Sequence, residues 1–300
     1  AILRQVVKDY WALTKPRVIS LLLFTTWAAM FIAARGTVDF WLFWATGLGF
    51  YMAAGSAHTF NMVFDRDIDG KVHRTAQRPV VAGRVTVRNA LIFAFAQAIG
   101  SFALLWWAAN LLAACMALAG LLFYVVVYTV WLKRRTEHNI VIGGAAGAFP
   151  PLVGWAAVTG SLNPLAWTLF AIIFLWTPVH FWALAIMIKD DYARLKIPML
   201  PVVRGERMTT LQILLYAVLT TLISLAPVFV LHGPANSLTW LYGGAAVVLN
   251  GLLLWKCLQL YRRPDRPRAS SLFHYSMLYL ALLFLAMAVD NPLWRLITHS

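Results

Sequence analysis

Apolar runs of about 17 to 24 residues recur along most of the chain, separated by short polar segments. A helix that crosses a membrane needs about 20 predominantly apolar residues, and nine runs meet that length. Their approximate bounds are 18–34, 38–60, 90–109, 111–132, 139–158, 165–188, 211–231, 238–258 and 272–290. The pattern predicts an all-α, polytopic membrane protein with nine transmembrane helices, in a single domain over residues 1–300.

The composition is that of a membrane protein, and the positions of the basic residues explain the high net charge. The chain is 61% hydrophobic and 12% charged, whereas soluble domains are roughly half apolar and a quarter charged. A net charge of +14 can indicate nucleic-acid binding, but the basic residues lie in short gaps between apolar runs. We therefore expect no nucleic-acid partner. Cys115 and Cys257 lie within apolar runs, so no disulfide or metal framework is expected.

The basic residues alternate between the gaps and so predict an orientation. Cytoplasmic loops of membrane proteins carry excess Lys and Arg. One set of gaps holds nearly all of these residues, in segments 8–17, 66–88, 133–135, 189–207 and 262–268, whereas the other set holds only Arg35 and Arg295. This alternation places the N-terminus and the basic loops in the cytoplasm. The first run lacks an A-x-A cleavage site and is interpreted as a retained helix.

The most specific local pattern follows the second run, at 61–69, NMVFDRDID. Asn61, Asp65 and Asp69 are spaced i, i+4, i+8, which places them on one face if the helix continues through them, with Asp67 pointing elsewhere. Like charges at this spacing destabilise a helix unless a cation lies between them. Mg²⁺ fits, because it binds one or two carboxylates and completes its shell with water and phosphate oxygens.

Two arginines follow the acidic column and complete a candidate diphosphate site. Arg74 and Arg78 can hold phosphate oxygens through bidentate hydrogen bonds, and Asn61 is a further candidate ligand. A solvated loop with mutually neutralising charges is the alternative, which the ordered column disfavours. The motif of the CDP-alcohol phosphotransferases is excluded, since Arg66 and His73 stand where that motif has Asp and Ala.

Two further cytoplasmic gaps hold candidate site residues. Asp190 and Asp191 follow the sixth run directly and are candidates for a second Mg²⁺ site, with Lys189 as a diphosphate ligand. The alternative is a plain cluster of charges at a helix end. In the gap after the fourth run, Lys133 and Arg134 either reach the diphosphate or only reflect the positive-inside rule.

These motifs resemble those of the UbiA-type intramembrane prenyltransferase superfamily, and more narrowly its haem O synthase branch. The similar stretches are 61–84 (NMVFDRDIDGKVHRTAQRPVVAGR), 128–147 (YTVWLKRRTEHNIVIGGAAG), 177–186 (TPVHFWALAI) and 191–205 (DYARLKIPMLPVVRG). The resemblance implies nine helices around a central cavity and two Asp-rich cytoplasmic motifs that hold Mg²⁺-diphosphate. One departure is that many members have D-x-x-x-D in the second motif, whereas Arg194 stands four residues after Asp190. Asp191 is the carboxylate carried over.

The resemblance also implies a reaction and its partners. A farnesyl group would pass from farnesyl diphosphate to a vinyl group of haem b, with water addition, giving haem O and diphosphate in the bacterial inner membrane. Asp65, Asp69 and His180 are the implied catalytic residues. Implied partners are both substrates and membrane lipid, and the resemblance admits a contact with haem A synthase or the terminal oxidase assembly.

Two histidines lie within or at the end of apolar runs. Ionisable residues inside a membrane are functional candidates, and His58 and His180 are candidate haem ligands or proton carriers. The alternative for each is a neutral histidine hydrogen-bonded between helices. Pro178 is expected to kink the sixth helix beside His180.

Other functions remain open at this point. Prenylation of an aromatic or quinone precursor uses the same chemistry, and a non-catalytic haem-handling factor would not need the acidic column. A carrier usually places charged residues near the membrane midplane. Apart from Lys256, near the end of a run, no Asp, Glu, Lys or Arg lies mid-run here, which disfavours a carrier.

Overall fold

The computed structural model describes residues 2–71, 75–231 and 238–299. Within these ranges every regular element is a helix, which confirms the all-α prediction. In chain order the elements are α1 Ile2–Thr14, α2 Pro16–Ala34, α3 Phe40–Phe64, α4 Arg66–Asp69, α5 Val87–Ala108, α6 Leu111–Leu122, a π-helical segment Phe123–Leu132, α7 Asn139–Gly143, a 3-10 segment Gly144–Ala148, α8 Phe149–Thr159, α9 Pro164–Met187, α10 Lys189–Arg194, α11 Leu200–Val203, α12 Gly205–Phe229, α13 Trp240–Arg262 and α14 Arg266–His299.

Eight of the predicted spans reappear as helical stretches that are long and apolar enough to cross a membrane. The predicted span at 38–60 corresponds to α3, a 25-residue helix that is not among those eight. Its glycines, threonines and tryptophans lower its mean hydropathy, although it carries no charged side chain. The predicted count of nine is thus approximate for the described residues. The protein is an integral membrane protein.

Side-chain caps set several helix boundaries. The continuous apolar stretch 90–132 divides at Asn110, whose carboxamide oxygen accepts from Ala113 N at 2.9 Å. The Asn110 Nδ2 also donates to Ala156 O of α8 at 2.7 Å, which ties this turn to a neighbouring helix. Asp39 and Asn163 cap α3 and α9 in the same way. Such caps satisfy backbone N–H groups that have no partner inside the helix.

Small residues allow the helices to approach closely. A Cβ at Gly154 of α8 would lie 2.0 Å from Thr26 O of α2, so only glycine fits where these two backbones meet. Close backbone contact through small residues is characteristic of membrane helix packing. The largest apolar core lies among α9, α12, α13 and α14 and includes Trp182, Tyr242 and Phe284.

The fourth predicted span is not one regular α-helix. After Leu122, α6 continues as the π-helical segment, in which Lys133 N donates to Tyr128 O at 2.9 Å, five residues back. The Thr129 hydroxyl donates to Tyr124 O at 2.9 Å, also five residues back. π-Helical turns are rare and are found frequently at functional sites.

Candidate active site at one end of the helix bundle

The acidic column lies where α3 passes into α4. α3 ends at Phe64 and the backbone turns at Asp65, so the column spans two helices rather than one. The turn keeps the spacing, because Asp69 N still donates to Asp65 O at 2.9 Å. Asn61, Asp65 and Asp69 are 3%, 1% and 7% exposed. The column is therefore almost entirely buried.

Each residue of the column contacts a basic side chain from another part of the chain. Lys15 Nζ donates to Asn61 Oδ1 at 2.8 Å. Lys133 pairs with Asp65 Oδ2, and Arg78 pairs with Asp69 Oδ2. Burial of carboxylates is tolerated because opposite charges and hydrogen bonds offset the lost hydration.

One carboxylate oxygen in the column accepts no hydrogen bond from any residue that the structure describes. This atom is the buried Asp65 Oδ1, whose contact with Arg134 Nη2 at 3.6 Å is an ion pair beyond hydrogen-bond distance. Asn61 Nδ2 donates at 2.6 Å to the other oxygen, Oδ2. A buried unpaired oxygen costs free energy. A hard cation such as Mg²⁺ prefers such an oxygen as ligand, so Asp65 and Asp69 fit a magnesium site.

Sequence reasoning did not identify Lys15 as a site residue. It stands between α1 and α2 with φ 54° and ψ 59°, a left-handed conformation that L side chains seldom adopt. Burial, together with the nearby Arg78 and Lys133, lowers the pKa of Lys15 to about 7. Such a conformation costs free energy and persists only where the surrounding structure holds it. In the sequence, Lys15 looked like one of the many basic residues that the positive-inside rule explains, so nothing marked it as a ligand.

A cavity of about 170 Å³ opens beside the column. This volume is smaller than the roughly 300 to 1,000 Å³ of sites for drug-sized ligands and suits a polar headgroup. Its lining is mostly polar and consists of Lys15, Asn61, Ile68, Asp69, Thr75, Arg78, Tyr124, Tyr128, Lys133, Tyr192, Leu195 and Ile197.

The π-helical segment brings Tyr124, Tyr128 and Lys133 to the cavity together. Lys133 follows Tyr124 by nine residues, which is 2.5 turns of an α-helix and would place the two on opposite faces. The wider π-helical turns make this roughly two turns, so both face the cavity. Gly143 makes room for Tyr128, since a Cβ there would lie 2.3 Å from Tyr128 Cδ2. No feature of the sequence distinguished this segment from a regular span.

Arg134 contacts the outer side of the acidic motif instead of lining the cavity. Its two terminal nitrogens donate to Asp67 at 2.7 and 2.6 Å, and one also donates to Phe64 O at 3.0 Å. The Arg134 guanidinium holds the pKa of the Asp67 carboxyl below its ordinary value. As expected, Asp67 points away from the column. The predicted diphosphate ligand Arg74 lies outside the described residues.

The second acidic segment forms α10 and is arranged differently. Asp190 is exposed and Asp191 is half-buried, and neither lines the cavity. Lys189 pairs with Glu206 at the start of α12. Within the described ranges, no group of three or more His, Cys, Asp or Glu side chains could hold a metal ion. The structure therefore does not gather the two predicted carboxylate pairs into one cluster, and α10 presents Tyr192 to the cavity.

The two histidines occupy different environments. His58 is buried near the end of α3, and its ring meets that of Tyr124 edge-on at 5.4 Å. Its Nδ1 has no hydrogen-bond partner among the residues that the structure describes. His180 is stacked between Trp176 and Phe273 at 4.6 and 4.5 Å. Its Nδ1 lies 2.8 Å from the Ser276 hydroxyl of α14. His180 thus has the hydrogen bond between helices that was the alternative to a role as haem ligand or proton carrier. It does not line the cavity.

Comparison with known proteins gives sequence relatives over nearly the whole chain. A protoheme IX farnesyltransferase of Thermus thermophilus is 64% identical over 284 residues, which cover 95% of this chain and 46% of the relative. The chain thus spans about half the length of that relative. A protoheme IX farnesyltransferase of Deinococcus radiodurans is 55% identical over 296 residues, covering 95% of this chain and 93% of the relative.

Solved structures show the same fold. A digeranylgeranylglyceryl phosphate synthase is 17% identical with a TM-score of 0.79, covering 95% of this chain and 98% of that one. A UbiA homologue from Archaeoglobus fulgidus, bound to DMAPP and Mg²⁺, is 17% identical with a TM-score of 0.64, covering 94% and 99%. The model of the UbiA prenyltransferase family matches residues 21–288. The chain belongs to the UbiA prenyltransferase family.

Proposed function

We propose that this protein transfers the farnesyl group of farnesyl diphosphate to a vinyl group of haem b, with addition of water, giving haem O and diphosphate. One observation supports prenyl transfer most strongly: a buried carboxylate column, paired with basic side chains, contributes Asn61 and Asp69 to the lining of a polar cavity at one end of an apolar bundle. The names of the sequence relatives support the choice of farnesyl and haem as substrates.

The basic side chains of the cavity bind the diphosphate in this proposal. Lys15, Arg78 and Lys133 enter from three separate segments, each already held by a residue of the acidic column. These residues carry donors that match phosphate oxygens, and Arg78 can bind two oxygens at once. Because the donors are positioned before the substrate arrives, they stabilise the charge that develops on the leaving diphosphate.

Asp65 and Asp69 hold magnesium in this proposal. Support comes from Asp65 Oδ1, which accepts no hydrogen bond from the described residues, and from the A. fulgidus relative solved with Mg²⁺. When bound, Mg²⁺ would neutralise negative charge on the diphosphate oxygens. The second predicted metal pair, Asp190 and Asp191, lacks comparable support, since Asp190 is exposed and Asp191 is only half-buried.

In this proposal, the tyrosines of the cavity stabilise the prenyl carbocation that forms when the diphosphate leaves. Loss of diphosphate leaves an allylic cation, which aromatic faces stabilise electrostatically. Tyr124 and Tyr128 line the cavity with ring centroids 5.4 Å apart, and Tyr192 contributes a further ring. Their position next to the diphosphate ligands keeps the nascent cation close to aromatic faces. His58 stays the better placed of the two haem-ligand candidates, because it contacts Tyr124.

We also propose that the cavity opens to the cytoplasm from the bacterial inner membrane. The basic loops that carry Arg78, Lys133 and Lys189 belong to the Lys- and Arg-rich set of gaps, which face the cytoplasm under the positive-inside rule. A single Asp190→Cys variant tests this in intact cells. An impermeant thiol reagent added outside should not label position 190, and labelling there would refute the orientation. A contact with haem A synthase or the oxidase assembly stays a prediction from resemblance.

The function is tested with the purified protein in lipid nanodiscs. Haem b, farnesyl diphosphate and Mg²⁺ are added, and haem O is sought by mass spectrometry. Asp65→Asn serves as the negative control. Haem O from the wild-type protein but not from the variant supports the proposal. Prenylation of an aromatic precursor in parallel reactions, with no haem O, would refute the acceptor while retaining the prenyltransferase chemistry.

A further inference from the structure

The first helix of the chain has an apolar stripe that no part of the described protein covers. Leu3, Val7 and Trp11 of α1 are four residues apart and therefore lie on one face. They are 77%, 60% and 57% exposed. Isolated exposed apolar residues are common, but three in one row on a helix indicate a surface that contacts something apolar.

Basic residues border this stripe on one side. Arg4 and Lys8 each follow a stripe residue by one position, so they form a parallel row, and both are exposed. The opposite side of α1 packs on the protein through Leu13, which is fully buried, and through Asp9, which pairs with Arg84. A helix with an apolar face, an adjacent basic row and little net hydrophobicity is typical of the membrane surface.

The position of α1 in the chain agrees with a location at the membrane surface. Only Lys15 separates it from α2, which is long and apolar enough to cross a membrane. Trp11 stacks on Tyr51 of α3 with ring centroids 5.7 Å apart. The last residue of the stripe thus contacts a long helix of the bundle.

We propose that α1 is a membrane-surface helix whose basic row binds anionic lipid headgroups, and that this docking holds Lys15 in the cavity. The occupant of the stripe is the lipid leaflet itself. Apolar burial and attraction between Lys or Arg and anionic headgroups act together in such helices. The second half of the proposal rests on the diphosphate-binding role given above to Lys15.

The contacts of α1 explain how docking reaches the cavity. Thr14, the last residue of α1, hydrogen-bonds the Tyr51 hydroxyl at 2.7 Å, immediately before Lys15 adopts its left-handed conformation. Asp9 Oδ1 accepts from Arg84 Nε at 2.9 Å, and Arg84 in turn donates to Gln77 O at 2.8 Å, next to Arg78. Displacement of α1 would therefore move basic ligands on two sides of the cavity.

The location of the helix is tested by spin labels at matched positions. Val7→Cys and Gln5→Cys are made in a Cys115→Ala, Cys257→Ala background that retains wild-type size-exclusion behaviour, and each is labelled in anionic nanodiscs. A label at position 7 should be accessible to oxygen dissolved in lipid, and a label at position 5 to a water-soluble relaxation agent. Equal aqueous access at both positions would overturn the proposal. Disulfide-linked dimers of the Val7→Cys variant would also overturn it, because a second copy would then cover the stripe.

The link to the cavity is tested by kinetics in two kinds of nanodisc. We expect the KM for farnesyl diphosphate to be lower in phosphatidylglycerol mixtures than in phosphatidylcholine alone, with kcat unchanged. The Arg4→Gln, Lys8→Gln double variant should lose this dependence of KM on lipid. Each basic residue should account for a change of about fivefold in KM between the two lipid mixtures. If the spin label shows position 7 in lipid but KM is the same in both lipid mixtures, the coupling between α1 and the cavity is refuted. If the wild type makes no product, the proposed function fails, and the spin labels still decide the location of α1.

Discussion

The two acidic segments of the protein carry similar residues and have opposite environments. In the first, Asp65 and Asp69 are buried and paired with Lys133 and Arg78. In the second, Asp190 is exposed, and the neighbouring Lys189 pairs with Glu206, away from the cavity. The comparison shows that this fold buries carboxylates where other parts of the chain supply the opposite charge.

The spacing of the carboxylates accounts for part of this difference. Residues four apart share one helical face, so the first segment concentrates its charge toward the bundle. Asp190 and Asp191 are adjacent and must point in different directions. In the six-residue α10, it is the apolar and aromatic side, with Tyr192, that turns toward the cavity.

The largest expected effect separates the two segments directly. Asp65→Asn should lower turnover by roughly 10² to 10³, the usual cost of removing one preorganised electrostatic group. Asp190→Asn should stay within about twofold of wild type, because exposed charges contribute little. Steady-state rates of both variants in nanodiscs measure this. An equal loss in Asp190→Asn would show that the two segments act as one site, and thermal melting controls for misfolding.

A smaller effect is expected between neighbouring cations. Lys133 reaches the cavity, whereas Arg134 holds the exposed Asp67. Lys133→Gln should weaken diphosphate binding about 10- to 100-fold, the cost of losing a hydrogen bond to a charged group. Arg134→Gln should weaken it less than about fivefold. Calorimetric titration with a non-hydrolysable farnesyl diphosphate analogue compares them, and the reverse order would contradict the site described here.

Within α10, the aromatic residue should matter more than the carboxylate. Tyr192 lines the cavity and Asp191 does not. Tyr192→Ala should lower kcat about fivefold through loss of one cation–π contact. Asp191→Asn should have less effect than this at saturating Mg²⁺. A strong dependence of the Asp191→Asn rate on Mg²⁺ concentration would instead establish a second metal site and restore the symmetry between the two acidic segments.

The smallest effect concerns protons bound by Lys15. Its pKa of about 7 leaves the free side chain largely neutral at pH 8. A bound diphosphate favours the charged ammonium and raises this pKa, so binding at pH 8 should take up a fraction of one proton. Affinity should accordingly fall as pH rises above about 7.

Calorimetry in two buffers of different ionisation enthalpy measures the proton uptake by Lys15. Lys15→Gln serves as the control, because it removes the titrating group and leaves the protons of the ligand. Uptake should disappear at pH 6, where Lys15 is already protonated in the free protein. Equal uptake by wild type and variant would show that Lys15 does not contact the diphosphate.

Much of the architecture could be predicted because its causes are local. Apolar run length predicted the spans, and Asn110 marked the division between α5 and α6. The prediction was approximate for α3, whose glycines and threonines pack inside the bundle instead of facing lipid. The π-helical segment could not be predicted, because an apolar run of that length fits a regular helix equally well.

The sequence by itself determined the membrane-spanning class, the uneven charge of the two ends and the face shared by Asn61, Asp65 and Asp69. Hydropathy, charge and helical period depend only on neighbouring residues. The tertiary structure alone decided which cations complete the column. Lys15 lies 46 residues from Asn61, and Lys133 lies 68 from Asp65. Such contacts depend on how separate helices pack, and packing also turned Tyr192, not Asp190, toward the cavity.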